Sequence, residues 1–197
     1  MSVGDIDGDT DLDVVTAGIR ADAVVWYENI LPNPNWPKHT IDADLNAAIG
    51  VSIGDIDGDT NLDVAAVGYL ANDVVWYENI LPNPNWPKHT IDDNLNNTGM
   101  AEMVDINGDN YPDVVATSMA DNDVVWYKNN LPDTIWTKDT IDANLGGARV
   151  FTTADIDDDN DTDVIALGQS ANDVVWYENL IITAPILIEP ENNVTLI

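Results

Sequence analysis

The hydrophobic and polar positions of this chain predict short β-strands. In the second repeat, residues 48–53 form a small-residue apolar strand and residues 62–68 are almost entirely apolar, which is typical of a strand buried on both faces. Residues 74–79 are rich in β-branched and aromatic side chains, which favours a third strand. Residues 86–92 are more polar and suit an outer edge. A turn at 71–73 and a proline-containing loop at 81–85 separate these segments.

The same pattern returns every 50 residues, as the aspartates at 5, 55, 105 and 155 show. Self-similarity at such a period is typical of solenoids, propellers and arrays. A four-stranded antiparallel unit of this length suits a propeller blade, and its faces must be covered by neighbouring blades. The sequence therefore predicts an all-β fold. We expect a β-propeller of about four four-stranded antiparallel blades, and membership of a larger ring and closure through a partner both stay open.

The repeats place approximate blades at 1–47, 48–97, 98–147 and 148–179, which together make a domain at 1–179. The pattern stops after Asn179, so residues 180–197 are either a closing strand or the start of a following β module. Met1 occupies the strand position of Val51, Ala101 and Phe151. We therefore expect a mature or partial chain without a signal peptide.

Tryptophans form two series. Trp26, Trp76, Trp126 and Trp176 lie in the third strand of each repeat, and we expect them to pack between blades. Trp36, Trp86 and Trp136 accompany the outer strand. For this second series, packing between blades and stacking on a ligand both stay open.

Composition narrows the range of partners. The formal net charge is −30 with only six Lys and Arg, which excludes ordinary nucleic-acid binding and argues against docking to anionic lipid. The chain has no cysteine, so disulfides give no indication of the redox compartment. No stretch approaches the roughly 20 apolar residues of a membrane span.

A nine-residue aspartate-rich loop follows the first strand of every repeat. Relative positions 1, 3, 5 and 9 offer side-chain oxygens and position 7 offers a backbone carbonyl, which is the donor set of a hard cation such as Ca²⁺. Loop one contains Asp5, Asp7, Asp9, Asp11 and Asp13, and loop two contains Asp55, Asp57, Asp59, Asn61 and Asp63. Loop three contains Asp105, Asn107, Asp109, Tyr111 and Asp113, and loop four contains Asp155, Asp157, Asp159, Asp161 and Asp163. We expect about four Ca²⁺ ions, one per repeat.

Alternative kinds of metal site fit these loops less well. An EF-hand needs a bidentate Glu at position 12, where this chain has Thr16, Ala66, Ala116 and Ala166. Mg²⁺ prefers a smaller octahedral shell, and Zn²⁺ lacks its thiolate and imidazole ligands. Plain Asp-Gly turns without metal remain the alternative. Asp158 replaces the glycine of the other loops, so we expect loop four to be the weakest or most distorted site.

The sequence contains no recognisable catalytic set. His39 and His89 fall in the outer strand and are replaced by Asp139 in the third repeat, which is typical of polar surface positions. There is no Ser/His/Asp spacing and no glycine-rich phosphate loop. We therefore predict that the chain is not an enzyme.

The Asp-x-Asp-x-Asp-x-x-x-Asp loop followed by an apolar strand resembles the FG-GAP/VCBS repeat family of integrin-α-like β-propellers. The Val-Val-Trp-Tyr-Glu-Asn and Lys-His-Thr-Ile strands resemble the bacterial extracellular form of that family, over roughly residues 1–179. The resemblance implies a propeller with calcium in the loop between two strands of each blade. It also implies a secreted or surface location and an adhesion, binding or scaffold role. Asn107, Asp158 and the incomplete last repeat depart from the family pattern.

Three functions follow as hypotheses. The first is a non-enzymatic, calcium-stabilised extracellular structural or adhesion module, such as a subunit of a surface fibre or multidomain adhesin. The second is a lectin-like carbohydrate-binding propeller, and the third is the scaffold of a larger secreted enzyme. Expected partners are other protein subunits or domains, with extracellular glycans, a homo-oligomer and a filament left open. We expect no nucleic-acid partner and no membrane insertion.

Overall fold

The computed structural model describes residues 1–81, 86–132, 135–180 and 189–190. Residues 189 and 190 are described through their backbone only. Its regular elements in this part of the chain are all β-strands, which form four antiparallel sheets with the strands in chain order. The predicted all-β fold is thus confirmed at the level of four separate antiparallel sheets. A propeller arrangement of these sheets stays a prediction.

The strands divide evenly among the sheets. Sheet 1 contains β1 (Ser2–Gly4), β2 (Asp13–Gly18), β3 (Ala23–Tyr27) and β4 (Lys38–Asp42). Sheet 2 contains β5 (Ala48–Gly54), β6 (Asp63–Gly68), β7 (Asp73–Tyr77) and β8 (Lys88–Asp92). Sheet 3 contains β9 (Thr98–Val104), β10 (Asp113–Ser118), β11 (Asp123–Lys128) and β12 (Thr137–Asp142). Sheet 4 contains β13 (Ala148–Ala154), β14 (Asp163–Gly168), β15 (Asp173–Glu178) and β16 (Glu189–Pro190).

The strand ends differ slightly from the sequence expectation, for identifiable reasons. The third strand of sheet 2 ends at Tyr77 rather than Asn79, because the backbone N–H of Asn79 leaves the ladder and donates to Asp63. The fourth strand begins at Lys88 rather than at 86, since Pro87 has no N–H to donate. The carbonyl of Pro87 still accepts a hydrogen bond from Glu78 N at 3.0 Å. Most of the predicted loop at 81–85 lies outside the described residues.

The hydrophobic core is divided into three layers, one between each pair of successive sheets. Each layer combines an isoleucine, valines and a tryptophan from one sheet with valines, two alanines and a tyrosine from the next. Strands β6 and β10 are buried along their whole length because their sheets have a neighbour on both sides. This confirms, for the second and third repeats, the burial that was expected for the second strand of every repeat. In sheets 1 and 4 the corresponding strands β2 and β14 are partly open.

Polar contacts tie each sheet to the one before it. The Tyr77 hydroxyl donates to Asp42 Oδ2 at 2.6 Å, and Lys88 Nζ reaches the same oxygen at 3.0 Å. Tyr127 and Lys138 contact Asp92 in the same way, at 2.7 and 2.8 Å. Burial by itself would raise the pKa of Asp42, but hydrogen bonds from Tyr77, the Asp44 backbone and Lys88 hold it below its ordinary value. The charged carboxylate is therefore part of the joint between sheets.

We expect Tyr77→Phe to lower the free energy of unfolding by about 1.5–3 kcal/mol, because it removes a hydrogen bond to a charged and partly buried group. Denaturant unfolding of the two proteins measures the difference. Asp42 has a lowered pKa, so the difference should narrow as the pH falls below about 3.9 and the carboxylate is protonated.

Tyr27→Phe is the matched control, since Tyr27 occupies the same place in sheet 1 and its hydroxyl has no partner in the described part of the chain. It should change stability by less than about 0.5 kcal/mol. Equal effects at the two tyrosines would contradict the role assigned to the Tyr77–Asp42 bond.

Candidate metal centres

Each aspartate-rich loop joins the first and second strands of its sheet at the same corner. In loop one, Asp5 accepts three backbone N–H groups: those of Gly8 and Asp9 at Oδ1, at 2.8 and 3.0 Å, and that of Thr10 at Oδ2, at 2.9 Å. Gly8 and Thr10 have φ values of 79°, in the left-handed region that this tight wrap requires. The side chain at position 1 therefore shapes the backbone of its own loop.

Three of the four loops bring carboxylates close enough to share one ion. In each group the candidate ligand oxygens lie within 4.8 Å of one another, as an ion with oxygen ligands at about 2.3–2.6 Å requires. The groups are Asp5, Asp7 and Asp13; Asp55, Asp57 and Asp63; and Asp155, Asp157 and Asp159. Oxygen-only donors of this kind fit a hard divalent cation. The structure thus shows three acidic clusters that could hold a metal ion.

The remaining predicted ligands make other contacts. Asp9 and Asp59 each accept the N–H of the residue two positions ahead, at 2.8 Å. The position-7 residues are Asp11, Asn61, Tyr111 and Asp161, and ligation by their carbonyl oxygens stays a prediction. The other predicted ligands at positions 5 and 9 that lie outside the three groups are Asp109 and Asp113 of loop three and Asp163 of loop four.

Loop three differs chemically from the other loops. Asn107 replaces an aspartate, and its amide Nδ2 donates to Asp113 Oδ2 at 2.9 Å. Lys128 replaces the glutamate found at 28, 78 and 178, and its ammonium lies 3.5 Å from Asp109 Oδ2. The neutral amide of Asn107 removes one negative charge from this loop, and the ammonium of Lys128 partly neutralises another, where a metal ion would supply the positive charge in the other loops. The sequence already indicated that loop three differs, since the replacements at 107 and 128 occur in the same repeat.

Loop four keeps its carboxylate group despite the missing glycine. Asp158 adopts φ 63° in place of the glycines with φ near 80° in loops one and two. All three grouped side chains are exposed, whereas Asp13 and Asp63 are buried in their groups. Loop four is thus the most open of the three clusters, and loop three departs furthest in its donors.

The buried aspartate at position 9 connects the loop to the rest of the sheet. Asp63 Oδ2 accepts the N–H of Ile56 at 2.9 Å, and Oδ1 accepts the N–H of Asn79 at 2.8 Å. Asp13, Asp113 and Asp163 each accept the N–H of the corresponding asparagine (Asn29, Asn129 and Asn179) at 2.8 Å. These asparagines were not predicted as site residues, although one stands 16 residues after each aspartate.

Three of these asparagines, those of sheets 2, 3 and 4, also reach the preceding sheet. Asn79 Nδ2 donates to the carbonyl of Ile6 at 2.8 Å, and Ile6 N donates to Asp13 at 2.9 Å. Equivalent bonds join Asn129 to Ile56 and Asn179 to Ile106. We call this series the aspartate–asparagine relay. It connects the aspartate-rich loops to one another through backbone and amide groups.

Burial and crowding disfavour the charged form of several loop carboxylates. Burial raises the pKa of Asp63 to about 7 and that of Asp113 to about 6, although backbone hydrogen bonds oppose the rise. Burial also raises the pKa of Asp7, and the charges of Asp13 and Asp9 add to the effect. A bound cation would reverse this, because it favours the ionised form.

The histidines of the outer strands are already engaged. His39 stacks on Trp26 with ring centroids 4.3 Å apart, and its Nε2 lies 2.8 Å from Glu28 Oε2. His89, Trp76 and Glu78 repeat the arrangement, with the same centroid separation. These contacts fit the prediction of polar surface positions. Non-enzymatic function stays a prediction.

A cleft of about 460 Å³ opens between sheets 2 and 3. Its walls include Trp76, Trp136, Glu78, His89 and Asn129. Trp86 and Trp136 pack against the layers between sheets, which supports the packing interpretation of the outer tryptophans. Trp36, with no sheet before it in the described structure, is exposed.

No protein-family model and no curated protein matches this chain. Within the described residues, no helix is both long and apolar enough to cross a membrane.

We expect the metal-free protein to lose stability as the pH rises from about 4 to about 7. The raised pKa values of Asp63 and Asp113 make the folded state bind more protons than the unfolded state in this window, where an ordinary aspartate with a pKa of about 3.9 is already ionised. Thermal denaturation in EDTA across this range tests the slope. A melting temperature that rises with pH in EDTA would contradict it.

Asp63→Asn is the informative variant for this effect. It should flatten the pH dependence, and it should cost about 1–3 kcal/mol because the amide cannot accept both backbone N–H groups. Asp44→Asn is the matched control, since Asp44 is exposed and lies outside the loops. It should change neither the slope nor the stability appreciably.

Proposed function

We propose that this chain is a non-enzymatic, calcium-stabilised structural or adhesion module of the cell exterior. The observation that carries the proposal is the recurrence of the acidic cluster at the same corner of three sheets. Its donors are oxygen atoms only, and the expected extracellular calcium concentration suits loops with dissociation constants of about 10⁻⁴–10⁻³ M. The resemblance of the loop to FG-GAP/VCBS repeats supports a propeller-like arrangement of the sheets.

Asp5, Asp7 and Asp13 would hold the ion in loop one, and the corresponding residues would hold it in loop two. Calcium supplies positive charge where the protein gathers carboxylates. The chain itself supplies the geometry, because backbone N–H groups already orient Asp5 and Asp13. The ion would therefore bind a loop that is largely preformed.

Binding of this kind stabilises the folded state by mass action. With free calcium at ten times the dissociation constant, each site contributes about 1.4 kcal/mol. Three such sites would supply a substantial part of the roughly 5–15 kcal/mol that is typical of a folded domain. The proposed role of the metal is thus to keep an acidic repeat protein folded outside the cell.

Calcium titration by calorimetry should give about three strong equivalents, from loops one, two and four, with loop three weaker. The melting temperature should fall markedly in EDTA and recover when excess calcium is added. An unchanged melting temperature in EDTA would refute the calcium proposal.

Loop exchange tests the assignment of the sites. Asp57→Asn gives loop two the amide of loop three and should remove about one equivalent. The double variant Asn107→Asp/Lys128→Glu gives loop three the position-3 aspartate of loop two and the glutamate found at 78, and should add about one. Asp44→Asn removes one charge outside the loops and should leave the stoichiometry unchanged. If all three variants bind alike, the acidic loops are not the binding sites.

Carbohydrate binding is a second candidate, favoured by the cleft between sheets 2 and 3. Its walls combine tryptophan rings with carboxylate, imidazole and amide groups, which is the mixed lining that small-ligand sites use. Trp136→Ala should then abolish binding on a glycan array, whereas Trp36→Ala, outside the cleft, should not. Absence of binding across the array would remove this candidate.

A further inference from the structure

The three joints between successive sheets use the same positions each time. Each sheet has a trailing face, which packs on the next sheet, and a leading face, which packs on the previous one. In sheet 1 the trailing face includes Ile6, Val15, Val24 and Trp26. In sheet 2 the leading face includes Val51, Val64, Val75 and Tyr77. Within the described residues, no sheet therefore packs on the leading face of sheet 1 or on the trailing face of sheet 4.

The trailing face of sheet 4 is an open copy of an interior face. Ile156 is 42% exposed, whereas Ile6, Ile56 and Ile106 are each 1% exposed. Val174 and Trp176 are half-buried, although Val24 and Trp26 at the same positions of sheet 1 are buried. Leu167 is exposed where Val67 is fully buried. These side chains form an apolar surface of the shape that the next sheet covers elsewhere.

The leading face of sheet 1 is open in the same way. Leu12 is 59% exposed and Val3 is 51% exposed. Their counterparts Leu62 and Ile53 pack into the layer between sheets 1 and 2. Trp36 is also exposed, whereas Trp86 packs into that layer.

The leading face also carries donors whose interior counterparts are paired across the joint. Tyr77 and Lys88 donate to Asp42 of the preceding sheet, but Tyr27 and Lys38 have no such acceptor within the described residues. Asn29 Nδ2 donates to the carbonyl of Leu12 in its own sheet. Asn79 Nδ2 donates to the carbonyl of Leu62 in its own sheet and also to the carbonyl of Ile6 in the preceding sheet. The Ile156 carbonyl occupies the matching acceptor position on sheet 4.

We propose that a second copy of this chain seats head to tail, with the leading face of its sheet 1 on the trailing face of sheet 4. A second copy is the partner that fits these faces, because the same leading-on-trailing packing already occurs three times between successive sheets of one molecule. The two faces differ, because one offers donors and the other an acceptor, so a face would not pair with its own copy equally well. This inference rests on the packing of the sheets and not on the metal, and goes beyond the proposed function.

A head-to-tail joint is heterologous, so it either closes into a ring or continues as a filament. Two copies would bring together eight sheets, which is at the upper end of common propellers. The strongly acidic surface opposes association elsewhere on the molecule, since like charges repel. The two open apolar faces are where association would bury the most exposed hydrophobic surface.

Cysteine crosslinking tests the joint directly, because the 197-residue sequence contains no cysteine. A Cβ placed on Gly4 would lie 2.8 Å from Leu62 Cδ1 across the joint between sheets 1 and 2. The equivalent positions at the open ends are Ala154 and Leu12, both exposed. A mixture of Ala154→Cys and Leu12→Cys should give a covalent heterodimer on mild oxidation, in several-fold greater yield than either variant alone.

Asp44→Cys mixed with Ala154→Cys is the matched control, since Asp44 is exposed and lies on neither open face. A crosslinking yield equal to that of this control overturns the proposal. Calcium titration of each variant shows whether the metal loops are intact, so failure of the joint and failure of the metal proposal are separate results.

Complementation of charged variants provides the second measurement. Leu12→Asp and Ile156→Asp should each weaken self-association in sedimentation velocity by at least tenfold, a loss of about 1.4 kcal/mol. Their mixture should form a heterodimer, because it retains one intact leading face and one intact trailing face. Circular dichroism verifies that both variants are folded.

Three results would overturn the proposal. The first is a wild-type chain that stays monomeric at every concentration. The second is a dimer that only one of the two variants disrupts, which would indicate pairing of like faces. The third is a monomeric protein in which Ile156→Asp lowers the melting temperature and Leu12→Asp does not. That result would indicate that the segment after residue 180 covers the trailing face.

Discussion

One buried carboxylate per repeat supports both the loop and the packing of the sheets. Asp63 receives one backbone N–H from its own loop and one from Asn79, and the amide of Asn79 then reaches the carbonyl of Ile6 in the sheet before. Loop geometry and sheet packing therefore depend on the same side chain. Removing it would leave two N–H groups without partners in a buried place, where each costs about 1–3 kcal/mol.

The acidity of the chain is accommodated in two different ways. Between sheets, tyrosine hydroxyls and lysines stabilise charged aspartates, so the pKa values of Asp42 and Asp92 are lowered. In the loops, burial and neighbouring carboxylates raise the pKa values of Asp7 and Asp57. The first group is satisfied by the protein itself, whereas the second lacks a counter-charge. For these four carboxylates, the direction of the pKa shift follows whether a tyrosine hydroxyl and a lysine ammonium are in contact with the group.

The sequence predicted what depends on local pattern. Strand positions, the complete burial of β6 and the gathering of Asp55, Asp57 and Asp63 follow from residue type and spacing. It did not predict the bond from Asn79 to Ile6, because the two residues are 73 positions apart and meet only when the sheets pack. The amide of Asn107 and the ammonium of Lys128 were visible, but their approach to Asp113 and Asp109 needed the fold. Likewise, only the packing distinguishes the exposed Trp36 from Trp86.

The aspartate–asparagine relay makes the repeat a self-contained building unit. Each 50-residue unit supplies a carbonyl acceptor for the unit after it and an amide donor for the unit before it. A gene duplication that inserts one whole unit therefore keeps the asparagine-to-carbonyl bond at every joint, whereas an insertion of any other length breaks the series. Residues 24–42 and 74–92 are identical, as a recent duplication would leave them. Such a chain can lengthen or shorten in whole units during evolution without redesign of its joints.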